Sequence, residues 1–397
     1  MTEIDTTRHP GHPGKSRRHL PGLDGIRGLA ILMVMFSHFI VVGGNLDGDS
    51  AFGRFLYSGY LGVDLFFVLS GFLITGILID SRTSPKFFRV FYMRRALRIF
   101  PLYYGLLAIS WLTVVFITPE DKPVLTGHDS MAWFWLYASN IGMAIKGQWL
   151  ASPTWVGLGH FWSLAVEEQF YLVWPFVVFF TPTKYLKWFC VVLVLASPFI
   201  FMGLTEMMGD VATYVSTLSR LGVLAVGGWL AIIWRESGSW EILQRFLVPV
   251  ALASGLLLLL ERSFLPILSS AEPSLVLILG AASVGLAASG GGGAMLCAFF
   301  SSATLRWLGK YSYGIYVYHH ALKPVWIRFI WEGWITPWLG SGWAGTLCYT
   351  AVATAASLIL AWISWKIFEA PILSLKKRFD YKSRSSPVAE TAPSASS

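Results

Sequence analysis

The amino-acid sequence predicts an all-α, polytopic membrane helix bundle of about ten transmembrane helices with both termini cytoplasmic. Three observations carry that expectation. Of 397 residues, 55% are hydrophobic and only 13% charged, against about a quarter charged in soluble domains. The apolar residues collect into runs of roughly 20, the length that crosses a bilayer. With the N-terminus placed inside, 23 of the 30 Lys and Arg fall in cytoplasmic segments, as the excess of cations in cytoplasmic loops requires.

In chain order, residues 1–20 are polar and basic and lack the apolar core and cleavage site of a secretory signal, so a cytoplasmic tail is expected. Spans follow near 23–42, 59–79, 100–118, 161–181, 187–204, 214–234, 246–260, 274–298, 311–331 and 344–368. Between the third and fourth lies a long outside loop, 119–160, whose stretch MAWFWLYASNIGMAI is amphipathic and is expected to lie along the interface or dip back into the protein. The GGGG at 290–293 reads as a flexible helix end. The membrane domain therefore covers 21–378. Residues 379–397, rich in Ser, Pro and Ala, are expected to form a disordered cytoplasmic tail. Cys190, Cys297 and Cys348 sit in apolar stretches without paired spacing, which supports neither a disulfide nor a zinc site.

Several spans hold groups that lipid penalises. In the first, Arg27 and His38 are eleven residues apart, about three turns, so they share a face about 16 Å apart, with Asp24 one turn below. A histidine inside a span either exchanges protons near neutral pH or is a satisfied packing residue. In the second, GYLGVDLFFVLSGFLITGIL, Asp64 lies one turn inside; Ser70 with Gly71 fits a small-residue packing motif as well as it fits chemistry. YMRRALRIFPLYY sets Arg95 and Arg98 one turn apart with Arg94 beside them, ahead of Pro101, which should break the helical pattern. Such a group is either a lipid-anchoring collar or a phosphate clamp, since guanidinium pairs bidentately with phosphate oxygens. GHFWSLAVEEQFYLVWP brings His160, Ser163 and Glu167 to one face, with Glu168 adjacent. Two neighbouring carboxylates at the edge of a span need a partner, a proton or water. Glu168 alone could be a solvated helix-end residue. Later come Arg220 within a span, and His319 and His320 mid-span in KYSYGIYVYHHALKP. No Walker loop, nucleophile elbow, dinucleotide fingerprint or HExxH metal motif accompanies them. Neither a metal nor a nucleic-acid partner is expected.

Taken in order, Arg27 with His38, GVDLFFVLSGFLI with Asp64, RRALRIFPLYY with Arg95 and Arg98, FWSLAVEEQFYL with Glu167, and YSYGIYVYHH with His319 make the chain from Pro21 to Arg378 resemble acyltransferase family 3, integral-membrane O-acyltransferases of surface glycans and secondary metabolites. The resemblance implies transfer of an acyl group, commonly acetyl, from cytoplasmic acyl-coenzyme A to a hydroxyl of a glycan, lipid-linked sugar or secondary-metabolite acceptor, at a bacterial inner membrane. No bound cofactor is expected beyond that donor substrate. His38 is expected as general base, its ring oriented by Glu167 or Asp64. Arg95 and Arg98 would hold donor phosphates, with Arg27, Ser70 and His319 as further binding residues. The family often places an acidic residue just after the arginine that matches Arg220, whereas this chain reads RLGV. No extracytoplasmic esterase-like domain is expected after the bundle. The rival reading is a multipass transporter or flippase, because buried charge also marks transport paths.

Overall fold

The computed structural model describes residues 20–44, 50–117, 131–150, 155–236, 238–264 and 271–381. Both expected tails fall largely outside these. Ten long helices stand among the described residues: α1 (Pro21–Ile40), α2 (Gly62–Ser81), α3 (Phe87–Ile117), α4 (Phe161–Phe180), α5 (Thr183–Met208), α6 (Thr217–Ile233), α7 (Ser239–Phe264), α8 (Glu272–Ser289), α9 (Ala303–Ala321) and α10 (Trp343–Ser364). No strand occurs among those residues.

Nine helical stretches are long and apolar enough to cross a membrane, and α9 is the long helix that is not. Its polarity comes from Arg306, Lys310, four tyrosines and two histidines, and it packs along α1. The expected ninth span is displaced for the same reason. An apolar window avoids Arg306 and Lys310 and settles on 311–331, whereas the helix begins at Ala303 and stops at Ala321. Pro324 then opens a separate segment that widens to π-helical pitch at Trp326–Ile335.

Helix α3 also departs from expectation. It begins at Phe87, thirteen residues before the expected span, and runs through Pro101 without a break. The arginines therefore stand on a helix rather than in a loop. Proline is likewise accommodated inside α4, α5 and α7, as membrane helices allow when neighbours satisfy the freed backbone groups. The amphipathic stretch after residue 131 does dip into the bundle: Asn140 Nδ2 donates to Thr217 Oγ1 at 2.9 Å, and Gln169 Nε2 donates to Asn140 Oδ1 at 2.9 Å. The GGGG run forms a turn in which Gly290, Gly292 and Gly293 take φ of +63°, +83° and +89°.

Lipid is as apolar as a leucine side chain, so close backbone packing rather than water exclusion joins such helices. Helix α1 shows how. A Cβ on Gly25 would fall 1.7 Å from the carbonyl oxygen of Phe300, and one on Gly28 would fall 2.0 Å from that of Leu305. The α2–α6 contact has the same form, with Gly71 against the Leu224 carbonyl and Gly227 against that of Val68. Burial follows from this: 72% of the apolar window in 52–81 is buried but only 6% of that in α5. Helices α1 and α2 form the centre and α5 faces outward.

Candidate active site

The amino-terminal half of α3, the start of α1 and the end of the chain's last helical turns meet in a cavity of about 310 Å³. Arg27, Arg94, Arg95, Arg98 and Lys376 all line it. Their partners differ. Arg27 is paired with Asp24 at 2.8 Å. Arg94 Nε donates to the Phe379 carbonyl at 2.7 Å, which draws residues 379–381 onto the cavity. Arg95 lies over the Tyr171 ring, 4.8 Å from its centroid. Neither Arg95 nor Arg98 has a hydrogen bond or ion pair with another described residue. A half-buried cation without a direct counter-ion is costly.

Ser70, Glu167, Glu168 and Tyr171 line the same cavity. Ser70 Oγ donates to Glu167 Oε1 and lies 3.0 Å from the Tyr171 hydroxyl. The two readings of the Ser-Gly pair are thus divided between neighbours: Gly71 packs the helices and Ser70 faces the cavity. Glu168 is not a solvated helix end, for its Oε1 is buried without a partner among the described residues.

Ser163 and Tyr316 also line this cavity and join it to a group of histidines. The Tyr316 hydroxyl lies 2.5 Å from Ser163 Oγ and donates to the His160 carbonyl at 3.1 Å. Its ring centroid is 5.6 Å from that of His319. His319 is fully buried and stacks on His38, whose Nδ1 is 2.9 Å from His319 Nε2. His320 meets the other edge of His38 at 5.0 Å, and His160 lies 4.6 Å from His320. Among the described residues no His, Cys, Asp or Glu group is arranged to hold a metal.

The His38–His319 contact fixes protons as well as position. His319 Nδ1 lies 2.7 Å from the Tyr316 carbonyl and 3.1 Å from that of Ile315, and carbonyl oxygens only accept. The Nδ1 atom of His319 therefore carries hydrogen. With both rings neutral, its Nε2 accepts from His38 Nδ1–H. The lone pair left on His38 is then on Nε2.

The two carboxylates expected beside His38 lie elsewhere, and neither touches it. Glu167 belongs to the cavity wall, and Asp64 is bound to Arg220 Nη1 at 3.0 Å, both being buried. The ring that stacks on His38 is that of His319 on α9. Arg27 lines the cationic cavity while His38 stands beyond it, so one helix serves two levels of the site. Two cavity residues escaped sequence reasoning. Tyr171 carried a signal in its position one turn after Glu167. Lys376 carried none, because it sits in a basic run that reads as a membrane collar.

A polytopic helical bundle with a cationic cavity at one end and a histidine group beyond it is the class of protein that emerges. The chain belongs to acyltransferase family 3: the family's acyltransferase domain matches residues 20–365. It is 30% identical over 383 residues to a peptidoglycan O-acetyltransferase of Listeria monocytogenes, covering 90% of this chain and 56% of that one. A putative peptidoglycan O-acetyltransferase of Bacillus subtilis is 31% identical over 333 residues, covering 78% of this chain and 49% of its own length. An O-acetyltransferase of Staphylococcus aureus is 32% identical over 231 residues, covering 55% and 35%. The chain thus spans about half the length, or less, of these relatives. No solved structure matches it.

Proposed function

We propose that this protein is a membrane O-acetyltransferase that moves an acetyl group from acetyl-coenzyme A to a hydroxyl of an envelope glycan, with His38 as general base. The observation that carries the reading is the tautomer set by His319, which leaves Nε2 of a half-buried His38 free to take a proton. Arg95 and Arg98 support it by offering guanidinium groups that make no direct ion pair or hydrogen bond among the described residues, suited to the donor phosphates. The family and its glycan-modifying relatives support the same direction.

In this scheme the acceptor hydroxyl gives its proton to His38 Nε2 as its oxygen attacks the thioester carbonyl. The tetrahedral intermediate collapses by breaking the carbon–sulfur bond. The thiolate leaves and takes its proton from the His38 imidazolium, directly or relayed through a water, so the base is restored. His319 keeps the ring in its reactive orientation throughout. The cationic cavity lies on the cytoplasmic side of a bacterial inner membrane, both termini share that side, and residues 21–378 form the catalytic unit.

Labelled acetyl-coenzyme A offered to membranes with a glycan acceptor tests this reading. Label should appear on the acceptor, and His38→Gln should fold normally yet turn over about a hundredfold to ten-thousandfold more slowly, since Gln fills the space but takes no proton. A folded His38→Gln protein with normal transfer would overturn the assignment of the base. Movement of an unmodified substrate across the membrane with no label transferred would favour the transporter reading.

A further inference from the structure

A second cavity, of about 320 Å³, lies on the other side of α2 from the cationic one. It is built where the end of α5, the starts of α2, α6 and α8, and Trp149 come together. Its floor is rigid. Arg220, 6% exposed, donates from Nε and Nη2 to the Tyr214 carbonyl at 3.0 and 2.8 Å, pairs with Asp64 at 3.0 Å, and lies 4.6 Å from the Tyr214 ring centroid. Tyr214 is in turn held edgewise by Tyr60 and Trp149, at centroid distances of 5.9 and 6.1 Å. Tyr60 donates to Glu272 Oε1 at 2.8 Å. Around the rim stand the exposed Asp210 and the face of Trp149, which is 49% exposed.

Three carboxylates, one guanidinium and four aromatic rings around a single cavity are an unusual mixture for a membrane bundle. Carboxylates disfavour a phosphate, and the arginine in the floor disfavours a simple cation. A neutral ligand with many hydroxyls suits such a lining, because its hydroxyls donate to carboxylate oxygens such as those of Asp210 and it brings no charge against the closed Arg220–Asp64 pair. The electron-rich faces of aromatic rings attract the weakly positive C–H face of a sugar ring. The volume sits at the small end of ligand pockets, roughly 300 to 1,000 Å³, which suits one or two sugar residues.

Position agrees with chemistry. Tyr60 follows Gly59, whose Cβ would meet Ser37 Cβ at 2.8 Å, and Ser37 precedes His38. The cavity therefore adjoins the end of α1 that carries His38, away from the arginines. We infer that the cavity framed by Trp149, Tyr214, Asp210 and Glu272 is a saccharide-binding site that holds part of the acceptor glycan. The inference rests on the glycan reading of the acceptor above. It adds a place for the sugar that the histidine group itself does not provide.

The test is equilibrium binding of two neutral probes, an N-acetylglucosamine tetramer and maltotetraose, to the purified full chain in lipid nanodiscs, without donor. At least one tetramer should bind saturably. Trp149→Ala should weaken it about tenfold or more, and Asp210→Asn about threefold or more, while acetyl-coenzyme A binding, which also reports a folded chain, changes less than about twofold. Absence of binding by both tetramers up to about 10 mM, or equal binding by both variants and the wild type, overturns the inference. Saturable choline binding that displaces the sugar and is lost in the same variants also overturns it, in favour of a cation site. Transfer of acetyl to a glycan with an acceptor KM untouched by both substitutions would sink this site and leave the proposed function standing. Sugar binding lost in the variants, with no acetyl transfer to any glycan, would do the reverse.

Discussion

Arginine is used in two opposite ways within one bundle. Arg220 spends its donors inside the protein: one carboxylate, one carbonyl accepting twice, and two aromatic faces. Arg95 and Arg98 face a cavity, and their side chains make no direct ion pair or hydrogen bond among the described residues. A buried guanidinium with closed bonds is scaffold, because removing either partner strands a charge. One with open donors, held on a helix beside a cavity, is what the proposed donor site requires. The same contrast separates Asp64, locked in its ion pair, from Glu167, which shares its cavity wall with Ser70 and the open arginines.

That contrast can be broken at several points. The largest effect is expected at the closed pair. Asp64→Ala leaves the Arg220 guanidinium buried without its counter-ion and should lower stability by about 3 to 5 kcal/mol, seen as a large drop in thermal-shift midpoint or loss of monodisperse protein. Combining it with Arg220→Met should restore much of the loss. An Asp64→Ala protein as stable as wild type would remove the distinction between scaffold and site. Next comes His319, which acts through His38. His319→Ala should cut kcat about tenfold to a hundredfold, as loss of an orienting partner does elsewhere, while the acceptor KM stays unchanged. A KM effect with normal kcat would make His319 a binding residue instead. The smallest effect is expected at Arg94, whose guanidinium is held by the Phe379 carbonyl and sits 3.8 Å from Asp380. Arg94→Ala should change donor affinity by less than about threefold, the scale of an exposed ion pair.

Most of the fold was legible because hydropathy reports spans directly. Expectation failed where a helix was too polar for an apolar window to find. Helix α9 holds Arg306, Lys310 and His319, so apolar length alone misplaced it by eight residues at its start. The arginines of α3 looked like a loop ahead of Pro101, yet the helix continues through the proline. His38, Arg95, Arg98 and Glu167 each stood out as polar groups in apolar surroundings. Their partners did not, since His38 and His319 are 281 residues apart and helical periodicity relates only residues on one helix. Asp64 and Arg220 were each conspicuous for the same reason, while their pairing, 156 residues apart, was set by packing of α2 against α6.

The measurement that reaches the centre of this contrast is calorimetric titration of acetyl-coenzyme A into the purified protein, its Arg95→Ala and Arg98→Ala variants, and Arg98→Lys, at low and moderate salt. Each alanine variant should bind the donor about tenfold or more weakly, corresponding to a charge-assisted contact of about 1.5 to 3 kcal/mol. The lysine variant should recover part of that loss, because it restores charge without the bidentate fork, and the midpoint of thermal unfolding without donor should stay near that of the wild type. Unchanged donor affinity in both alanine variants, or a fall in stability as large as that of Asp64→Ala, would contradict the account and return the two arginines to the scaffold.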